Sequence, residues 1–206
     1  MLLYGSLLFV FFVSCRPDYP IFQNCTKNMT SERFYDSPLG RLTLTDNGRA
    51  LTGIYFDTQK RAVCNGMSGA IWEPDTASRE NRDKINGLSV FAMTCRWLDI
   101  YFDGRIPDFT PPLQPLGTPF RRAVWEILRE IPYGRTVTYK QVTEELMRRT
   151  GSIRMSARAV GSAIGHNPIS IIIPCHRVIG SNGRLTGYAG GLDRKRRLLE
   201  IEHCMP

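Results

Sequence analysis

The chain has 206 residues, of which 42% are hydrophobic and 22% charged, an ordinary globular balance with room for one or two small cores. Its net charge of +8 is unevenly placed: residues 1–117 carry 12 Lys/Arg against 12 Asp/Glu, and residues 118–206 carry 15 against 7. The six cysteines form no CxxC pair, which argues against a finger or ribbon metal centre, and so much core-forming sequence argues against a disulfide framework.

Leu2 to Cys15 is almost wholly apolar, too short to span a bilayer comfortably and shaped like a signal-peptide core, but no Lys or Arg precedes it. Phe12-Val13-Ser14-Cys15 loosely resembles a lipoprotein cleavage site. The preferred reading sets residues 1–28 aside as an extension, with the working protein starting at Met29 and no membrane role. From Phe34 the pattern turns strand-like. Ser37-Pro38-Leu39-Gly40 reads as a turn, Arg41 to Thr45 alternates with period two, and Asp46-Asn47-Gly48 is a second turn before the apolar run Leu51 to Phe56. This predicts an antiparallel meander. Residues 57–86 are polar and poorly patterned, which predicts a loop. Leu88, Phe91, Cys95, Leu98 and Phe102 recur at helical spacing, predicting an amphipathic helix closing near Gly104. Pro107, Pro111, Pro112 and Pro115 mark a stiff linker between a domain at 29–113 and one at 114–206.

The second half opens with Thr118 as N-cap and Pro119 at the first helical position, followed by the stripe Phe120, Val124, Ile127, Leu128 and Ile131. Thr138 to Gln141 has the form of a capping box, predicting a second helix to about Gly151. A third, from Ser156 to Ile164, is rich in small residues. Two short helices in tight succession suggest a helix-turn-helix, and the basic excess in the same half suggests a polyanion partner.

Ser170 to Ile173 reads as a buried strand running into Pro174-Cys175-His176-Arg177-Val178. A thiol attacks only as thiolate, so Cys175 needs a base or a positive charge nearby, and His176 and Arg177 are adjacent. A last helix begins around Leu192-Asp193, and Glu202 falls on the face of Leu198 and Leu199 while Glu200 points elsewhere. An acid on an apolar stripe needs a partner to offset its desolvation, and a histidine is the obvious one.

The residues Arg158-Ala159-Val160-Gly161, Asn167 through Val178 and Gly187-Tyr188-Ala189-Gly190-Gly191-Leu192 together resemble the signature of the O6-alkylguanine-DNA alkyltransferases. The likeness extends back through Tyr139-Lys140-Gln141 and Thr118-Pro119-Phe120, and more faintly to Phe34–Phe56. It implies an RNase H-like α/β domain followed by a winged-helix-like DNA-binding domain. It further implies irreversible, single-turnover transfer of an alkyl group from O6-alkylguanine, and from O4-alkylthymine, to Cys175. In this resemblance His176 is the general base through a water, Glu202 orients it, Asn167 is the hinge, and Tyr139 donates a proton toward the guanine. Arg158 is the finger that enters the base stack, with Thr138, Ala157, Gly161 and Arg177 also facing DNA. Tyr188, Ala189, Val178 and Ile164 line the pocket. The implied partner is double-stranded DNA, met from the minor groove with the damaged nucleotide turned out. The protein would be a monomer without cofactor or metal, placed in the cytoplasm, nucleoid or nucleus. Ser162 stands where many relatives have a second Gly, Ala189 where others have Ser, and Gly165-His166 is not the commonest pair before the Asn. Three other readings stand beside this one: a damage-binding protein without acceptor chemistry, a helix-turn-helix regulator, and a cysteine hydrolase using Cys175, His176 and Glu202.

Overall fold

The computed structural model describes residues 31–57, 59, 84–85 and 88–206. The apolar segment before Met29 and nearly all of the loop expected over 57–86 lie outside the described residues, as does Cys64.

Three strands, β1 (Ser31–Ser37), β2 (Gly40–Asp46) and β3 (Leu51–Phe56), form an antiparallel meander in that order. Both turns are built as their residues demand. Gly40 and Gly48 take φ of +107° and +80°, where a Cβ is disfavoured, and Asp46 Oδ1 accepts the Gly48 N–H at 2.9 Å. The alternation in β2 predicts one wet face, but Leu42 through Asp46 are all buried. Thr45 meets this by sharing a hydrogen bond with Thr52 at 3.0 Å across the strand pair. A short pair, β4 (Lys84–Ile85) and β5 (Leu88–Ser89), leads into α1 (Val90–Phe102), which is N-capped by the Ser89 hydroxyl. The buried side of α1 is Val90, Phe91, Thr94, Trp97, Leu98 and Tyr101. The stripe read from the sequence is therefore displaced: Leu88 precedes the helix, and Cys95 and Phe102 sit half-buried at its flank.

The proline-rich stretch is more than a tether. Leu51 N–H donates to Pro112 O at 2.8 Å and Gln114 N–H to Leu51 O at 2.8 Å, so the segment is laid along β3. Three helices follow: α2 (Pro119–Arg129), then α3 (Tyr139–Thr150), which β6 (Val137–Thr138) precedes, then α4 (Ala157–Gly165). They pack on one another through Val124, Leu128, Val142, Leu146, Val160 and Ala163. The expected caps are present. Thr118 bonds the Arg121 N–H, Thr138 and Gln141 close a capping box, and Gly151 ends α3 with φ of +68°. Trp125 is buried, and its indole N–H donates to Ala163 O at 2.8 Å, tying α2 to α4.

The four residues before Pro174 are buried but do not form the expected strand. Ile54 of β3 exchanges hydrogen bonds with Pro168 O and the Ser170 N–H, so only Ile169 forms a bridge to β3. Beyond it the chain coils: Ile172 N–H returns to Ser170 O and Cys175 N–H to Ile173 O. Ile171 has φ of +72°, a conformation β-branched residues rarely adopt. An apolar run long enough for a strand carries no sign that its backbone turns back on itself. A 3-10 turn over Cys175–Arg177 then enters β7 (Val178–Ile179), parallel to β6, and the chain ends with α5 (Leu192–Ile201).

Trp125→Phe keeps an apolar ring but removes the bond to Ala163 and part of the buried volume. It should cost about 1–3 kcal/mol. That is a fall in melting temperature of several degrees by calorimetry, at about 2–4 °C per kcal/mol for a chain of this size.

Candidate active site

Cys175 lies at the start of the 3-10 turn with 7% of its surface exposed. Asn167, just after α4, holds it from behind. The Asn167 side-chain amide donates to Ile173 O at 2.7 Å and reaches Cys175 Sγ at 3.2 Å, while its Oδ1 accepts the Ile169 N–H at 3.1 Å. Asn followed by Pro favours such a side-chain-capped turn, and here it couples the end of α4 to the thiol. Burial pushes the Cys175 thiol above its ordinary pKa, against the pull of the Asn167 N–H and the Lys195 charge. At rest the residue is a thiol, so a base must take its proton before it can attack.

His176 and Glu202 are both fully enclosed, and His176 Nε2 lies 2.7 Å from Glu202 Oε1. With Nε2–H donated to a carboxylate, Nδ1 is the nitrogen that carries the lone pair. Nδ1 has no hydrogen-bond partner among the described residues. Burial lowers the His176 pKa against the opposing pull of Glu202, which leaves the imidazole neutral and able to accept a proton. Burial alone would raise the Glu202 carboxyl, but the hydrogen bonds and charges of His176 and Arg177 outweigh it and hold the acid down at about 2. Glu202 is therefore an ionised carboxylate with five N–H and O–H donors in reach: His176 Nε2, Arg177 Nε at 2.8 Å and Nη2 at 3.0 Å, the Tyr101 hydroxyl at 2.8 Å and the Gly134 N–H at 3.3 Å.

Arg177 belongs to this cluster and not to the surface. It is buried, donates its third nitrogen to Ile131 O at 2.5 Å, and stacks its guanidinium over Tyr133. The expectation that it faces DNA is corrected. A carboxylate buried in the core needs a permanent counter-charge more than the already basic surface needs another arginine.

The other expected site residues fall into three groups. Arg158 and Ala157 are exposed on α4, and Gly161 lies one turn on, 3.8 Å from the Tyr139 ring where a Cβ would stand. Thr138 caps α3, and Tyr139 opens it with its hydroxyl 3.4 Å from Thr186 O. Tyr188 is half-buried, edge-on to Phe56 with centroids 6.4 Å apart, and Ala189 beside it is exposed. Between that pair, Gly190 cannot carry a side chain: a Cβ there would meet both rings at 2.8 Å. Val178 and Ile164 are enclosed in the core, so neither offers surface to a ligand in this conformation. Part of the C-terminal basic charge is paired with carboxylates on the surface. Arg129, Arg148, Arg149 and Arg197 pair with Glu126, Glu145, Glu130 and Glu200, whereas Arg154 and Arg158 stand exposed with no carboxylate within ion-pair distance among the described residues.

Residues 119–204 match the family model for the 6-O-methylguanine DNA methyltransferase DNA-binding domain, and residues 31–115 match the ribonuclease-like domain of the same family. The chain belongs to that family. It is 40% identical over 174 residues to the methylated-DNA–protein-cysteine methyltransferase of Mycobacterium bovis, covering 84% of this chain and 93% of the relative. To that of Methanosarcina barkeri it is 41% identical, over 82% of this chain and 96% of the relative. Among solved structures it resembles the Mycobacterium tuberculosis OGT in complex with DNA. That likeness has a TM-score of 0.64 at 40% identity and covers 83% of this chain and 91% of the other.

Two buried residues of the site escaped the sequence reading. Tyr101 falls three residues after Leu98 on the stripe of α1, and Lys195 falls three before Leu198 on that of α5. The spacing argument that picked out Glu202 applies equally to Lys195. Its ammonium is buried and donates to Val178 O at 2.6 Å and Thr186 O at 2.7 Å, and burial lowers its pKa to about 8. It thus ties the loop that carries Tyr188 to the strand that follows Cys175.

The depressed Glu202 carboxyl stabilises the fold fully above its ordinary value of 4.5 and loses that contribution as pH falls toward about 2. Glu202→Gln should be less stable at pH 7 by roughly 3–5 kcal/mol, because Arg177 is left buried without its counter-charge. The gap between wild type and variant in denaturant titrations should narrow as pH drops below that value.

Proposed function

We propose that this protein repairs DNA by moving the alkyl group of O6-alkylguanine, or of O4-alkylthymine, irreversibly onto Cys175. The observation that carries the reading is a buried Cys175 held by Asn167 at 3.2 Å, followed in the chain by a buried His176 whose Nε2 lies 2.7 Å from Glu202 Oε1 and whose Nδ1 is left without a partner among the described residues. The methylated-DNA–protein-cysteine methyltransferases of Mycobacterium bovis and Methanosarcina barkeri, each matched over most of its length, support it.

In this reading His176 takes the Cys175 proton on Nδ1 through an intervening water, since Nε2 is committed to Glu202. The sulfur then displaces guanine in line at the alkyl carbon. The S–C bond forms as the C–O bond breaks, and the electron pair leaves with the guanine oxygen. Tyr139 donates a proton to the departing base and is reprotonated, through solvent, by the proton that His176 took from the thiol, so the sum is thiol plus alkylguanine giving thioether plus guanine. No resident cofactor is needed, because the DNA is the donor. Asn167 positions the thiol and joins it to α4.

DNA would lie against α3 and α4, the α4 face carrying Ala157, Arg158, Gly161 and Ser162 at its surface. Small residues let a helix come close to the sugar-phosphate walls of a minor groove, and an exposed arginine can fill the gap left by a nucleotide turned out of the stack. Thr138 would meet the same strand, and Tyr188 and Ala189 would border the pocket for the flipped base. The protein acts as a monomer associated with the nucleoid or nucleus, residues 114–206 bearing the chemistry and residues 29–113 forming the second domain.

Intact-mass spectrometry after mixing with excess O6-methylguanine DNA should show one methyl in place of the thiol proton, mapped to Cys175 and missing in Cys175→Ala. Tight DNA binding without a mass gain would sink the transfer reading. Arg158→Ala should slow methylation on duplex DNA more than on a short single strand, where no stacked partner must be replaced; equal slowing in stopped reactions would argue against a finger.

A further inference from the structure

The donor to Glu202 that lies furthest away in sequence comes from α1, in the ribonuclease-like part of the chain. Tyr101 is fully buried, and its hydroxyl donates to Glu202 Oε1 at 2.8 Å, the same oxygen that His176 Nε2 meets at 2.7 Å. The hydroxyl also lies 3.4 Å from Nε2 itself. The ring is fixed on several sides: it stacks on Trp97 at 5.4 Å and 10°, and meets Phe102, Tyr133 and His176 edge-on. Packing alone would be served as well by phenylalanine, and a buried hydroxyl is costly unless it is bonded.

We propose that Tyr101 is a positioning residue for alkyl transfer, its hydroxyl holding the Glu202 oxygen that orients the His176 ring. The proposal rests on the transfer chemistry assigned above to Cys175 and His176. It makes the first domain part of the relay as well as its support, because the hydroxyl arrives on a helix that holds no other member of the site.

The physical consequence is specific. Glu202 Oε1 is shared among His176 Nε2, Arg177 Nη2 and Tyr101, and each donor draws charge from the others. Removing the hydroxyl leaves more negative charge facing His176, which favours the imidazolium. The histidine would then become protonated, and useless as a base, at a higher pH. The charged and titratable groups that bear on His176 are Glu202 and Lys195 from the last helix and its cap, and Arg177 beside it in the chain. Tyr101 and Tyr133 face the same carboxylate from α1 and from the turn after α2, Cys204 Sγ lies 3.9 Å from its Oε2, and Tyr188 feels the charges of both Glu202 and Cys175. Burial, and then the Glu202 charge, raise the Tyr101 pKa well above its ordinary value, so it stays a donor through the working range and does not titrate itself.

The test is the single-turnover rate of Cys175 methylation against pH, with saturating O6-methylguanine duplex and full-length protein. Tyr101→Phe, which keeps the ring and its stacking, should slow the reaction about tenfold, the order of one hydrogen bond to a charged group. It should also move the acid limb to higher pH while leaving DNA affinity unchanged. 3-Fluorotyrosine placed at position 101 keeps the hydroxyl and strengthens its donation, so its acid limb should move to lower pH. This substitution also covers the case in which Tyr101→Phe does not fold. Trp97→Phe, which disturbs only the stacked ring, should lower the melting temperature and leave the limb in place. If the variants at 101 share the wild-type limb and rate, Tyr101 is only packing and the proposal fails. If the wild type itself gains no methyl on Cys175, it is the transfer reading that fails.

Discussion

A carboxylate with 2% of its surface exposed governs the C-terminal half of this molecule. Burying a charge is prohibitive unless it is paired and hydrogen-bonded, and Glu202 meets that demand by drawing donors from three separate stretches of chain. Tyr101 comes from α1, Gly134 from the turn after α2, and His176 and Arg177 from the turn that begins at Cys175, while Glu202 itself caps α5. Satisfying one buried acid therefore fixes the relation of the first domain, the helical bundle, the acceptor turn and the last helix. A neutral core at this position would have been cheaper to bury. It would not have left His176 with a committed Nε2 and an available Nδ1.

Strand β3 supplies the second constraint. It pairs with β2, carries the proline-rich segment at Leu51, and receives the segment before Cys175 at Ile54. The acceptor turn is thus anchored to the N-terminal sheet at one end, by Ile169, and to Glu202 at the other, by His176 and Arg177. Between these anchors the backbone has few conformations left. It closes the distance with tight hydrogen-bonded turns and an isoleucine at φ of +72°. Conformations of this cost persist only where the surroundings over-determine them, and they collect at functional sites.

The electrostatic design separates two tasks that composition merges. Arginines of the C-terminal half are used inside it, to neutralise Glu202, and on its surface, in pairs with Glu126, Glu130, Glu145 and Glu200. Exposed pairs of that kind add little stability and lower the net field. Among the exposed arginines outside these pairs, Arg154 and Arg158 stand in the connection before α4 and at its start, beside the small residues that let the helix approach a partner closely.

The sequence by itself determined every element whose signal is local. The meander and its glycine turns, the caps of α2 and α3, the Asn167 turn and the inward face of Glu202 all follow from spacing and side-chain chemistry within a few residues. The motif around Cys175 marked the chemistry for the same reason. Tertiary structure alone decided whatever depends on a distant partner. Arg177 reads as a surface arginine until Glu202, 25 residues on, is placed beside it. The run Ser170–Ile173 reads as a strand until anchors at both ends force it to coil. Tyr101 and Lys195 look like ordinary members of helical stripes, because what they bond lies on other elements. Periodicity records which face of an element avoids water; it holds no record of which polar group waits on the other side of the core.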